Sequence, residues 1–219
     1  MQSRFVTFEG IEGSGKTVVS QAVRQALAAA GVEALLVREP GGTAVSEEVR
    51  RLLLDPARPE IVSRTELLLY LASRSQLVEE VIRPALAGGR SVLCDRFMDA
   101  SVAYQGWARG LGEELVERMN AFAVGGVVPD RTILLDCPVA AGLARGPAQR
   151  ERDGLAAPDR LEREAAEFHE RVREGYLRLA AREPKRIVVV DAGRPLDAVI
   201  EAVFRNLKPL FGVQLEGQR

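Results

Sequence analysis

The predicted fold is α/β, a five-stranded parallel sheet flanked by helices on both faces, and three observations carry it. Short apolar strands alternate with helical stretches along the whole chain. The first of these strands runs into Gly10-Ile11-Glu12-Gly13-Ser14-Gly15-Lys16-Thr17, a complete G-x-x-x-x-G-K-T phosphate loop, and a helix without proline or glycine follows it. With 219 residues, 47% of them apolar, the chain can bury such a sheet under two helical layers as one domain, residues 1–219.

Taken in order, the predicted strands are Arg4–Phe8, Val32–Arg38, Ser91–Cys94, Arg131–Asp136 and Arg186–Asp191. The predicted helices are Lys16–Ala30, Val45–Leu54, Ser63–Ala87, Glu113–Phe122, Pro138–Ala144, Arg160–Glu183 and Leu196–Leu207. Gly31 and Gly88-Gly89 stand where left-handed helix stops are expected. The stretch from Arg145 to Asp159 breaks the pattern, with glycines, prolines and arginines and only Leu155 as a large core residue. It is expected to be a mobile surface lid, the alternative being an inert connecting loop. Asp159 is placed to N-cap the helix that begins at Arg160.

Composition excludes several classes. A formal net charge of −1 argues against a polybasic surface for nucleic acid or membrane. No apolar run approaches the ~20 residues that span a bilayer, and no signal-peptide pattern opens the chain, so a cytoplasmic location is expected. Cys94 and Cys137 are expected to be buried reduced thiols, and without a C-x-x-C spacing they suggest no structural zinc. His169 lies mid-helix between charged residues and is expected at a surface or half-buried position away from the phosphate loop.

The phosphate loop carries the most specific chemistry. Its glycines let successive N–H groups turn inward on a phosphate, and the following helix adds the positive end of its dipole. Lys16 should reach the β/γ-phosphates of a bound nucleotide, and the Thr17 hydroxyl should sit on Mg²⁺, with Val18 continuing into the helix. Of 30 basic residues only Lys16, Lys185 and Lys208 are lysine, so lysine at this position stands out in an arginine-rich chain. Asp95, closing an apolar strand beside the phosphate-loop strand, is where a carboxylate would hold Mg²⁺ or its water shell. In isolation Asp95-Arg96 could equally be a surface salt bridge. Tyr70 and Arg74 are four apart and share a helix face, which suits a planar base, although Tyr70 alone could be a core aromatic.

Four segments narrow the reading: Arg38-Glu39-Pro40-Gly41-Gly42-Thr43, Glu66 to Arg74 on the long helix, Asp95-Arg96-Phe97, and Ser101-Val102-Ala103-Tyr104-Gln105-Gly106. Together with the phosphate loop they resemble the thymidylate kinases, from Phe5 to about Asp191. The resemblance implies the nucleoside monophosphate kinase form of the P-loop fold, ATP and dTMP as substrates, Mg²⁺ as cofactor and a homodimer. It places Arg38, Arg50 and Arg96 around the acceptor phosphate, and Pro40 at the turn against the sugar. Tyr70 would stack on the base, where the family usually has phenylalanine, and Arg74 would contact the thymine O4. Ser101 and Gln105 would line the base side, Tyr104 would crowd out a ribose 2′-hydroxyl, and Glu12 would lie near the 3′-hydroxyl or else be a solvated loop carboxylate. No arginine stands between Gly10 and Gly15, so the resemblance is to the bacterial branch whose catalytic arginines come from the lid. Arg145 would stack on adenine, and Arg150 or Arg152 would meet the transferring phosphoryl group. Another nucleoside monophosphate kinase is the nearest alternative. A regulatory P-loop switch for GTP would need an N-K-x-D motif, and no Asn-Lys pair occurs.

Overall fold

The computed structural model describes residues 3–152 and 158–215, with the backbone alone for 148–152. Five parallel strands, β1 (Phe5–Glu9), β2 (Ala34–Arg38), β3 (Ser91–Asp95), β4 (Arg131–Asp136) and β5 (Ile187–Asp191), lie in the order β2-β3-β1-β4-β5. Every residue of β1 is buried, as expected of a central strand covered on both faces. Its register sets Phe8 beside Asp95 on β3 and Ile133 on β4. The chain leaves β1 toward one edge of the sheet and leaves β3 toward the other. A crevice therefore opens beyond the carboxyl ends of these two neighbours, the usual ligand position in such sheets.

Helices α1 (Lys16–Ala29), α2 (Ala44–Leu54), α3 (Ser63–Leu77), α6 (Glu113–Val124) and α9 (Leu196–Phe211) fall where periodicity predicts them. The long helix predicted over 63–87 contains a π-helical turn, Val78–Ile82, and ends as α4 (Arg83–Ala87). Pro84 lacks the N–H that a regular ladder needs there, and the wider turn accommodates the loss.

Three segments differ from expectation. After β3 the chain forms α5 (Met98–Ser101) and a second π-helical turn, Val102–Ala108, which were not predicted; the turn carries Tyr104 and Gln105. Helix α7 runs from Val139 to Arg152, straight through Gly146-Pro147, so the proposed lid begins as helix rather than loop. Alanine, leucine, arginine and glutamine flank the proline, and these strong helix formers outweigh one lost bond. Helix α8 starts at Ala166, not Arg160. Asp159 does cap, but it caps an isolated turn: its carboxylate accepts from the Leu161 and Glu162 amides, and Glu162 reaches back to the Asp159 N–H.

The phosphate loop packs against α7 through two glycines, Gly13 and Gly142. A Cβ on Gly142 would stand 2.5 Å from the Glu12 carbonyl oxygen. Alanine favours a helix over glycine by about 1 kcal/mol, while crowding of this kind costs about 1–3 kcal/mol. Gly142→Ala is therefore expected to lower the melting temperature; a rise would show that the helix and the loop are free to separate.

Candidate active site

The site is built at the ends of β1 and β3. Gly15, in the left-handed conformation (φ 92°), turns the loop into α1, so Lys16 and Thr17 begin the helix. Lys16 folds back over the loop: its Nζ donates to the carbonyls of Gly10 (3.1 Å) and Ile11 (2.8 Å) and lies 3.4 Å from Ser14 Oγ. Burial lowers its pKa to about 8, and the neighbouring Arg96 adds to that shift against the pull of Asp95 and Glu12. The Thr17 hydroxyl donates to Asp95 Oδ2 at 2.8 Å. The two oxygen groups expected to hold magnesium are thus adjacent.

Arg96 sits at the centre. It is the one non-glycine residue with positive φ (67°) among the described residues. Its guanidinium donates to the Gly10 carbonyl (2.9 Å), the Tyr176 hydroxyl (3.2 Å) and Glu12 Oε1 (2.7 Å), and lies over the Tyr104 ring at 5.1 Å. The Tyr104 hydroxyl also donates to Glu12, at 2.8 and 2.9 Å to its two oxygens. Burial would raise the Glu12 pKa, but Arg96, His169 and Lys16 together hold the carboxyl well below its ordinary range.

A cleft beyond Arg96 is lined by Glu12, Tyr70, Ala100, Ser101, Tyr104 and Gln105, with Leu161 closing it from the turn before α8. Five of the residues expected around the acceptor nucleoside therefore do line one cavity, together with Arg96. Arg74 stands behind this wall rather than on it. It is 1% exposed: Glu39 accepts from Nε and pairs with Nη2 at 2.7 Å, Ser101 Oγ and Asn120 Oδ1 accept from Nη1, and the Phe97 carbonyl accepts from Nη2. Ser101, which lines the cleft, connects it to the cavity. The Gln105 amide is likewise turned to the buried Glu66 at 2.8 Å.

The remaining predicted residues are more dispersed. Arg50 donates to the Pro40 carbonyl at 2.9 Å, while Arg38 is half exposed and paired with Glu47 at 3.0 Å. Burial and the nearby Arg38 charge lower the pKa of Arg50. Arg51 is exposed and paired with Glu48, as its position beside Arg50 suggests. Arg145 donates to the Ala192 carbonyl at 3.1 Å, beside the end of β5. The side chains of Arg150 and Arg152 lie outside the described residues.

His169 corrects an expectation. It is fully buried, and its Nδ1 lies 3.3 Å from Glu12 Oε2, directly behind the phosphate loop. Flanking charges in sequence suggested a solvated face, but α8 turns His169 and Tyr176 to the same side, seven residues apart. Tyr176 and Glu9 also belong to the site and were not anticipated. Glu9 is the one charged residue of a fully buried strand, and that is the available signal.

A phosphate loop with its lysine folded over it and an adjacent hydroxyl–carboxylate pair, beside a separate cleft, is the arrangement of a P-loop phosphotransferase. Comparison with known proteins agrees. The family description "Thymidylate kinase" matches residues 8–203. A thymidylate kinase of Geobacter sulfurreducens is 50% identical over 199 residues, covering 91% of this chain and 93% of that relative. One from Desulfosudis oleivorans is 51% identical over 205 residues, covering 93% and 96%. The crystal structure of thymidylate kinase from Ehrlichia chaffeensis superposes with a TM-score of 0.75 at 32% identity, covering 95% of this chain and 99% of that one. The chain belongs to the thymidylate kinase family. It is accordingly an ATP-dependent nucleoside monophosphate kinase.

The Glu39–Arg74 pair behind the cleft generates a pH test. Burial raises Glu39 from 4.5 to about 7, with Arg74 opposing. Above 4.5 the unfolded chain releases this proton before the folded one does, so the group makes stability fall as pH rises toward 7. Glu39→Gln should reduce the loss of stability between about pH 5 and about pH 8, read from urea midpoints. Identical slopes for the two proteins would contradict burial as the controlling influence.

Proposed function

We propose that the chain transfers the γ-phosphoryl group of ATP to dTMP, giving ADP and dTDP, by holding two anions in line around Arg96. The observation that carries this reading is the position of Arg96, bonded to the phosphate loop on one side and lining the acceptor cleft on the other. The acceptor is a phosphate monoester with a second pKa near ~6, largely dianionic at neutral pH, so no general base is required. What remains is positioning and charge neutralisation. Lys16 is free to leave its loop carbonyls for the β/γ-phosphates, and Arg96 bridges donor and acceptor phosphoryl groups. Arg38 and Arg50 approach the acceptor phosphate from the Pro40 turn. Tyr70 stacks on the base, Ser101 meets its edge with Arg74 behind, and Glu12 and Tyr104 face the sugar. Arg145 takes the adenine side and Arg150 or Arg152 closes over the reacting group.

Thr17 and Asp95 are hard oxygen donors and fit Mg²⁺, which commonly takes one or two protein ligands and completes its shell with phosphate and water. The described residues hold no larger His, Cys, Asp and Glu cluster, which suits a shared rather than a caged ion. When bound, the ion supplies charge neutralisation at the β- and γ-phosphates.

A homodimer is also proposed. Helices α2 and α3 leave Val45, Leu52 and Leu68 exposed, and Phe122 on α6 is 91% exposed, apolar side chains that a second copy would cover. No described helix is long and apolar enough to cross a membrane.

ADP release measured with dTMP, dUMP, dCMP and AMP should be fastest with dTMP, and an equal rate with dCMP would refute the acceptor assignment. Arg96→Ala should lower kcat by about 10³-fold while the protein still folds. Wild-type turnover in that variant would remove Arg96 from the mechanism.

A further inference from the structure

An arginine in the left-handed conformation costs about 1 kcal/mol or more, and it persists only where its surroundings over-determine it. At Arg96, two groups that belong neither to the phosphate loop nor to the cleft wall do this. Glu9, the last residue of β1, is fully buried. Its Oε1 accepts the backbone N–H of Phe97, the residue directly after the left-handed turn, at 2.7 Å. Its Oε2 accepts the Tyr176 hydroxyl, also at 2.7 Å. That hydroxyl accepts in turn from Arg96 Nη1 at 3.2 Å. A single carboxyl group therefore holds Arg96 twice, through the main chain on one oxygen and through a phenol to the guanidinium on the other.

We propose that Glu9 and Tyr176 are positioning residues for phosphoryl transfer, a two-point brace that keeps Arg96 left-handed and its guanidinium aimed between the phosphate loop and the acceptor cleft. The parts come from three places that fold together: the end of β1, the residue after Arg96, and the middle of α8. Tyr176 is 3% exposed and lies outside the residues lining the acceptor cleft. Its effect on the reaction should pass through Arg96. Filling space alone would not need the hydroxyl, since the ring packs edge-on to Tyr104 with centroids 6.2 Å apart whether or not the oxygen is present. The proposal rests on the role given to Arg96 above, and its test separates the two.

The experiment compares steady-state constants and melting temperatures for wild type, Tyr176→Phe, Arg96→Lys and the double variant. Tyr176→Phe should lower kcat about tenfold while KM for dTMP stays within about twofold, because a displaced guanidinium affects the transition state more than ground-state binding. In the Arg96→Lys background the same change should have less than about a twofold further effect, the signature of two residues acting as one unit. A Tyr176→Phe enzyme with wild-type kcat, or losses that simply multiply in the double variant, would overturn the brace. Wild-type kcat in Arg96→Lys would instead overturn the role of Arg96 itself. If Tyr176→Phe does not fold, Glu9→Gln carries the comparison. It keeps the side-chain volume but replaces one acceptor with a donor, and it should show the same kcat-selective loss. An unchanged kcat there would count equally against the proposal.

Discussion

A guanidinium and a carboxylate, Arg96 and Glu12, meet at 2.7 Å over the ends of β1 and β3, and the rest of the site is arranged around that contact. Two cationic side chains, Lys16 and Arg96, are crowded into a space shaped for phosphate. The loop supplies partners for both charges: backbone carbonyls for Lys16, Glu12 and Gly10 for Arg96. A half-buried ion pair of this sort contributes little net stability, because desolvation offsets most of its attraction. Its value lies in keeping the Arg96 guanidinium aimed between the phosphate loop and the cleft, so that little reorganisation of that group remains at the moment of reaction.

The scaffold explains why these groups can be held so closely. A central strand with every residue buried gives a rigid floor, and the change of direction between β1 and β3 leaves their carboxyl ends uncovered. Helix α8 then crosses the opening, packing against the π-helical turn that carries Tyr104, and inserts His169 and Tyr176 behind the loop. The Asp159 turn just before α8 brings Leu161 to the cleft and anchors Arg160 to Glu66 at 2.7 Å. One helix thereby connects the acceptor cavity, the central arginine and the segment that follows α7.

What could be read from the sequence follows from how local each signal is. The phosphate loop, the strand-ending Asp95-Arg96 and the alternation of strands and helices are short-range patterns, and each appears in the structure at the expected place. Of the residues that line the cleft, Tyr70 is legible from its spacing to Arg74, and Ser101, Tyr104 and Gln105 through the family resemblance. His169 was misjudged because its sequence neighbours are charged, whereas its burial depends on which side of α8 faces the loop. The partners of Arg74, namely Glu39, Ser101, Asn120 and the Phe97 carbonyl, lie 23 to 46 residues away in sequence, so no local pattern reveals them. Helix α7 outran its predicted end because Gly146-Pro147 was weighed as a break without the helix formers on either side.

The central claim is most directly tested by a crystal structure with dTMP and a non-hydrolysable ATP analogue bound together. The account predicts that Arg96 keeps its positive φ and that its guanidinium contacts the dTMP phosphate, with Lys16 moved from the loop carbonyls onto the triphosphate. An Arg96 that touches neither nucleotide and remains wholly on Glu12 and Gly10 would contradict it.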